Sequence, residues 1–254
     1  MYLYKIIQLM FIITSVCIGS AYAQAGNSEN NGQCYEVVDS YEKFNRAMFQ
    51  LDLTLDHTIL KPVSTLYKKT VPSWGRDRVR NFIGNLKSPL TLVNNVAQGD
   101  SKSAFRTFWR FAINSTFGIG GLLDFASGFG LTENSQTFGD TFASYGADYG
   151  SYLVLPIIGP SSVRDAAGKV YDIVLDPLNL VLNYPERTGV FVASTISNRA
   201  DYLDLSNSLE ESSLDYYAQV RSMYLQYRAK KNIACKNKQI DYNVDYNMYN
   251  EEIK

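Results

Sequence analysis

The 254-residue sequence predicts an all-α protein, a single domain of short and medium helices turning at proline and glycine. Three observations carry that expectation. Apolar residues recur at spacings of three and four along most of the chain, which gathers them into a stripe on one helix face. Sustained apolar–polar alternation is almost absent, and the one short candidate strand is residues 152–155. Proline and glycine break the helical pattern too often for an up-down bundle of four equal helices, and no internal repeat is evident.

Residues 1–23 have the pattern of an export signal. Lys5 supplies the positive start, Ile6 to Val16 the apolar run, and Ala21-Tyr22-Ala23 a small-x-small cleavage site that leaves Gln24 first. Cys17 invites a lipoprotein reading, yet Val16 stands where an acylation signal needs a small residue. Residues 24–38 are polar and expected to be flexible. Asp39 and Ser40 are placed to cap a helix carrying Tyr41, Phe44, Met48, Leu51, Leu55 and Ile59 on one face, ended by Lys61-Pro62. Pro72-Ser73 starts a second piece, with Val79, Phe82, Ile83 and Leu86 sharing a face. Pro89 opens a short helix that Gly99 terminates.

Asp100-Ser101 then caps a helix rich in Phe105, Phe108, Trp109 and Phe111. From Trp109 to Phe129 only Arg110 and Asp124 are charged, and Gly118, Gly120, Gly121 and Gly128 interrupt the run. A transmembrane helix needs roughly 20 uninterrupted apolar residues. This segment instead fits a bent helical pair entering one leaflet or, alternatively, central core helices. Ser162 to Asp165 is a capping box ahead of a helix to Leu175. A Ser212-to-Lys231 helix closes the series, with Leu214, Tyr217, Val220, Tyr224 and Tyr227 as its apolar face. Residues 232–254 are Asn-, Lys- and Tyr-rich and expected to be disordered.

The inventory excludes much chemistry. Twenty-four basic against 25 acidic residues, without a basic cluster, argue against a nucleic-acid partner. His57 is the only histidine, which removes His-rich zinc sites and two-imidazole mechanisms. No GxSxG, P-loop or CxxC pattern occurs, and carboxylates do not cluster. The expectation is a protein that is not an enzyme and holds no metal or cofactor. Cys34 and Cys235 outlast processing and form a candidate disulfide for an oxidising compartment.

Four blocks in register narrow the field. The first is Glu42 to Phe49 (EKFNRAMF) with Leu60 to Val63; the second runs from Val71-Pro72 through Asn81 to Leu86, Pro89 and Leu92 to Asn95. The third joins Arg110-Phe111, Asn114 to Thr116 and Gly118 to Asp124. The fourth spans Phe138 to Thr141, Tyr145-Gly146, Leu155-Pro156 and Gly159 to Asp165. Their order and spacing resemble the MlaA (VacJ) family, over roughly residues 39 to 205. The resemblance implies a ring-like helical domain, placed here at 39–231, lying in the periplasmic leaflet of the outer membrane. It implies association with a trimeric porin and removal of mislocalised phospholipid from the outer leaflet, with delivery to a periplasmic lipid carrier. A porin-bound scaffold that conducts no lipid is the alternative.

A charged headgroup crossing hydrocarbon needs polar groups along its path. The candidates are Phe44, Asn45, Arg46, Asn81, Asn85, Asn94, Asn95, Arg110 and Asn114, the two arginines for the phosphate. An Asn beside a helix end more often caps or turns the backbone. Gly118, Gly120 and Gly121 are candidates for a bend within the membrane. Arg164-Asp165 is expected to be a structural pair, and Tyr145, Tyr149 and Tyr152 are placed at the water interface.

Overall fold

A computed structural model describes residues 39–231. The export signal, the polar 24–38 stretch, Cys34, Cys235 and the 232–254 tail lie outside the described residues. Within them the chain forms α1 (Glu42–Leu55), a π-helical turn (Asp56–Leu60), α2 (Lys61–Thr70), α3 (Ser73–Ala97), α4 (Ser101–Thr116) and α5 (Phe125–Gly128). There follow α6 (Phe138–Ser144), β1 (Tyr152–Leu155), β2 (Gly159–Ser162), α7 (Val163–Leu175), a 3-10 turn (Pro177–Leu180), α8 (Tyr184–Ser212) and α9 (Tyr216–Lys231). The architecture is mostly helical. The one sheet among the described residues is the antiparallel β1–β2 hairpin, with Tyr152 opposite Ser162 and Leu155 opposite Gly159.

Proline does not end helices where the local rule places the ends. Lys61 keeps helical angles (φ −61°, ψ −50°) in front of Pro62, and the chain continues into α2. The π-turn is the reason. Its wider spacing, with the Lys61 amide donating to the Asp56 carbonyl, shifts the hydrogen-bond register just before a residue that has no amide hydrogen. Pro89 likewise lies inside the 25-residue α3. An interior proline costs about 3 kcal/mol of helix propensity, which the packing of both halves of α3 against other elements offsets.

Other boundaries follow side-chain chemistry. Asp100 caps α4 by accepting from the Ser103 amide, and Gly99 adopts φ +71° just beyond α3. Ser162 accepts from the Asp165 amide at the start of α7. Tyr41, not Asp39 or Ser40, occupies the cap of α1. Asp39 instead accepts from the Tyr217 hydroxyl at 2.5 Å and from the Asn45 amide at 2.8 Å. The expected 212–231 helix begins at Tyr216; Ser213 is extended, which separates it from the 29-residue α8.

Neighbour packing closes on itself. α1 lies against β1, β1 against α7, α7 against α6, α6 against α3, α3 against α8, and α8 against α2, which continues α1. α9 lies against β2 and α8. Its Tyr217 joins Phe49, Tyr152 and Val154 in the main apolar cluster, with Phe49 and Tyr217 ring centroids 5.5 Å apart. Tyr149 and Tyr152 are therefore core residues rather than interfacial ones: their rings fill the space between the hairpin and helices, and only Tyr145 is exposed.

Three of the helices, α3, α4 and α8, are largely inside-out. α4 turns Ser103, Thr107, Arg110 and Asn114 inward and Phe105, Phe108, Trp109 and, just past its end, Phe117 outward. α3 buries Asn85, Thr91, Asn94 and Asn95 and exposes Trp74, Phe82, Val93 and Val96; α8 buries Ser194 and Ser197 and exposes Phe191, Val192 and Leu205. Ordinary water-soluble domains do the reverse, because each large apolar side chain left in water forgoes about 1.5–3 kcal/mol of burial. Such a surface calls for an apolar medium around it. No helix among the described residues is long and apolar enough to cross a membrane.

Candidate functional site

The interior amides are brought in from different elements and each finds protein partners. Asn45 bridges the hairpin to α1, its Nδ2 donating to the Tyr152 carbonyl at 3.0 Å and its Oδ1 accepting from the Val154 amide at 2.9 Å. Asn94 donates to the Leu90 carbonyl and accepts from Thr141, while Asn95 donates to Thr107. Asn114 donates to Asp124 and accepts from the Ala126 amide. Asn81 is half-buried and reaches the Leu122 carbonyl at 3.5 Å, and Phe44 stands exposed on α1.

The two arginines are already engaged. Arg110, buried, donates to Ser127, to the Leu131 carbonyl and to Asp124, so the guanidinium pins the turn after α4 to α5. Arg46 is half-buried, pairs with Glu42 and Asp215, and lies 4.4 Å over the Tyr217 ring. Between α4 and α5 the backbone reverses through positive φ at Ile119 (54°), Gly120 (69°) and Gly121 (100°). Asn85 clamps this reversal by donating to Ser115 at 2.9 Å and the Gly120 carbonyl at 3.2 Å. A Cβ at Gly121 would collide with the Asn85 side chain.

A second polar centre joins α6, α7 and α9. Arg228 donates to Asp140 at 2.8 Å and Asp165 at 2.6 Å, Lys231 reaches Asp140 at 2.7 Å, and the Tyr224 hydroxyl donates to Asp165 at 2.6 Å. Arg164 adds a bond to Asp165 at 3.2 Å and stacks 4.3 Å from the Tyr149 ring. Burial by itself pushes the Asp140 carboxyl up, but Lys231 and Arg228 hold it below its ordinary value. Nearby, burial raises Asp172 to about 6, against the Phe138 amide and the Asn94 side chain, which favour its charged form. A Cβ on Gly168 would strike the backbone of Gly139, so α6 and α7 meet at a glycine pair.

The α3–α8 wall differs from both. Ile83, Lys87, Thr91 and Asn94 fall at i, i+4, i+8 and i+11, one line along α3. Ile83, Thr91 and Asn94 are buried; Lys87 between them is exposed. Lys87 thus reaches water although it shares a helix line with buried residues. The Lys87 ammonium donates to buried Ser194 of α8 at 2.9 Å. Surrounding protein strips enough of its hydration to lower its pKa, while Glu133 and Asp176 act in the opposite direction. On α7, Asp165, Lys169 and Asp172, with Asp176 just past the helix end, form a charged stripe one turn apart; Val170 and Ile173 point outward. Burial also lowers the Lys169 pKa, and its ammonium lies 3.4 Å from Ser161. Among the described residues neither lysine forms an ion pair.

Sequence reasoning passed over both lysines. The spacing of Lys87 with Ile83, Thr91 and Asn94 was a usable signal, masked by reading Pro89 as a helix boundary. The face proposed there for Val79, Phe82, Ile83 and Leu86 divides: Ile83 points in and Phe82 out.

Helices α3, α4 and α8 thus turn amides and hydroxyls inward and large apolar side chains outward, a surface suited to an apolar surrounding. The chain belongs to the MlaA lipoprotein family, whose model matches residues 37–231. It is 41% identical to an uncharacterized protein of Rickettsia bellii (strain RML369-C), over 82% of this chain and 81% of that protein. It is 34% identical to the intermembrane phospholipid transport system lipoprotein MlaA of Escherichia coli (strain K12), over 83% of this chain and 80% of the relative. A chain solved under the description "Structural basis for maintenance of bacterial outer membrane lipid asymmetry" superposes with a TM-score of 0.68 at 36% identity, covering 75% of this chain and 96% of that one.

Proposed function

We propose that this chain is the outer-membrane component of intermembrane phospholipid transport, lying in the periplasmic leaflet and withdrawing phospholipids that have strayed into the outer leaflet. The lipid headgroup passes along the polar interior and leaves to a soluble periplasmic carrier; a trimeric porin anchors the protein. The chain acts as a conduit and not as an enzyme, so net direction comes from removal of lipid downstream. The observation that carries this reading is the inversion of the helices, with Lys87 reaching water from an inward line. Apolar side chains outside match hydrocarbon. Polar groups inside spare a charged headgroup the several kcal/mol that bare hydrocarbon would cost. The relatives named for phospholipid transport support the same reading. In this scheme Asn45, Asn85, Asn94, Asn95 and Asn114 act as struts that keep the circuit of helices open, and the Gly118–Gly121 turn bends within the leaflet.

The test is complementation of a bacterium deleted for its own family member. Expression of this chain is expected to return phospholipid on the cell surface to the level of the undeleted strain. Copurification with porin but unchanged surface phospholipid would instead identify a scaffold. Replacing Phe105, Phe117 and Phe129 by Gln is expected to weaken flotation with liposomes, and undiminished flotation would remove the membrane-facing role from that surface.

A further inference from the structure

Two opposite charges stand beside α3 without meeting. Lys87 projects from α3 toward Ser194, and Glu133, in the segment between α5 and α6, lies over α3 one turn earlier: a Cβ on Gly84 would touch its carboxylate at 3.5 Å. Glu133 is exposed and accepts no hydrogen bond among the described residues. The two groups act on each other electrostatically without forming an ion pair.

Elsewhere buried charges meet an opposite charge, Asp140 and Asp165 at Arg228, Asp124 at Arg110, and Asp56 in a two-pronged contact from Arg199 at 2.7 and 2.8 Å, with Lys169 and Asp172 of α7 the exceptions. A cation and an anion held apart on a wall that water reaches form a dipolar slot. A purely anionic ligand would satisfy the lysine and be repelled by the carboxylate. A ligand carrying a phosphate and, two carbons away, an ammonium satisfies both.

We propose that Lys87, with Ser194, holds the phosphodiester and Glu133 the ammonium of a zwitterionic phosphoethanolamine headgroup, making this wall selective for that lipid class over singly anionic phospholipids. The assignment rests on the transport reading above.

Binding by the full mature chain in detergent tests the slot, with dihexanoyl phosphatidylethanolamine, dihexanoyl phosphatidylglycerol, dihexanoylglycerol and inorganic phosphate as probes. The wild type is expected to bind the ethanolamine lipid several-fold more tightly than the glycerol lipid. Lys87→Gln should weaken both phospholipids about tenfold, the loss of one charge-assisted hydrogen bond. Lys87→Arg should stay within about twofold, and dihexanoylglycerol should respond to neither change. Glu133→Gln should erase the preference by weakening the ethanolamine lipid alone. A preference unaltered by Glu133→Gln, or Lys87→Gln binding like wild type, overturns the slot and leaves the transport reading standing. Failure of the wild type to bind either phospholipid overturns the transport reading itself. Displacement of lipid by inorganic phosphate at matching concentration shows a free-phosphate site and overturns the headgroup assignment. Glu133 is exposed and engages no partner, so its variant folds and keeps the test decisive should a Lys87 variant fail to fold.

Discussion

The junction of α6, α7 and α9 and the wall between α3 and α8 use the same residue types to opposite ends. At the junction Arg228, Lys231 and Arg164 meet Asp140 and Asp165 directly, with the Tyr224 hydroxyl completing the contacts. On the wall, Lys87 has only a serine hydroxyl, and Glu133 stands apart. Paired charge out of water is a clamp: desolvation is compensated by contact, and removing one partner strands the others. Unpaired charge that still reaches water contributes little to folding and keeps its capacity to bind. Contact and solvent access, more than charge itself, separate framework from working surface in this interior.

The contrast fails first if the junction proves dispensable. Arg228→Met strands Asp140 and Asp165 and is expected to cost about 3–5 kcal/mol in denaturant unfolding; a loss below about 1 kcal/mol would remove the clamp. Next in size is Asn45→Leu, which leaves the Tyr152 carbonyl and Val154 amide unpartnered in the core. A loss of about 2–3 kcal/mol is expected, and an unchanged unfolding midpoint would make this amide ornamental to the fold.

Asp172 sharpens the comparison through pH. Its folded-state value of about 6 lies above the ordinary 3.8, so between about pH 4 and 6 the folded chain keeps a proton the unfolded chain has released. Stability contributed by that proton is full below about pH 4 and is lost as pH rises through 6. Asp172→Asn should therefore stabilise by about 1–2 kcal/mol at pH 7, with the difference vanishing near pH 4. A gain independent of pH would point to packing instead. The smallest effect belongs to Lys87→Gln, whose unfolding free energy should stay within about 0.5 kcal/mol of wild type. A larger loss would move Lys87 from the working wall into the framework.

Much of the fold is legible locally. The spacing of Tyr41 to Ile59, the Asp100 cap, Gly99 beyond α3, the Ser162–Asp165 start of α7 and the strand at 152–155 all depend on residues within a turn or two of one another. Two prolines did not obey their neighbourhood. Pro62 is carried by a π-turn whose first residue, Asp56, is gripped by Arg199 from 143 residues away, and Pro89 lies in a helix packed against α4 and α8.

By itself the sequence determined the helical class, several helix caps and the family, because periodicity, caps and block spacing are short-range properties of the chain. Only the tertiary structure decided which face of each helix points inward, since apolar and polar stripes look alike until the surrounding medium and neighbours are known. It likewise decided which charges are spent on one another and which remain free. Asp165 and Arg228 are 63 residues apart in the chain and 2.6 Å apart in space, whereas Lys87 and Glu133 share a wall without touching.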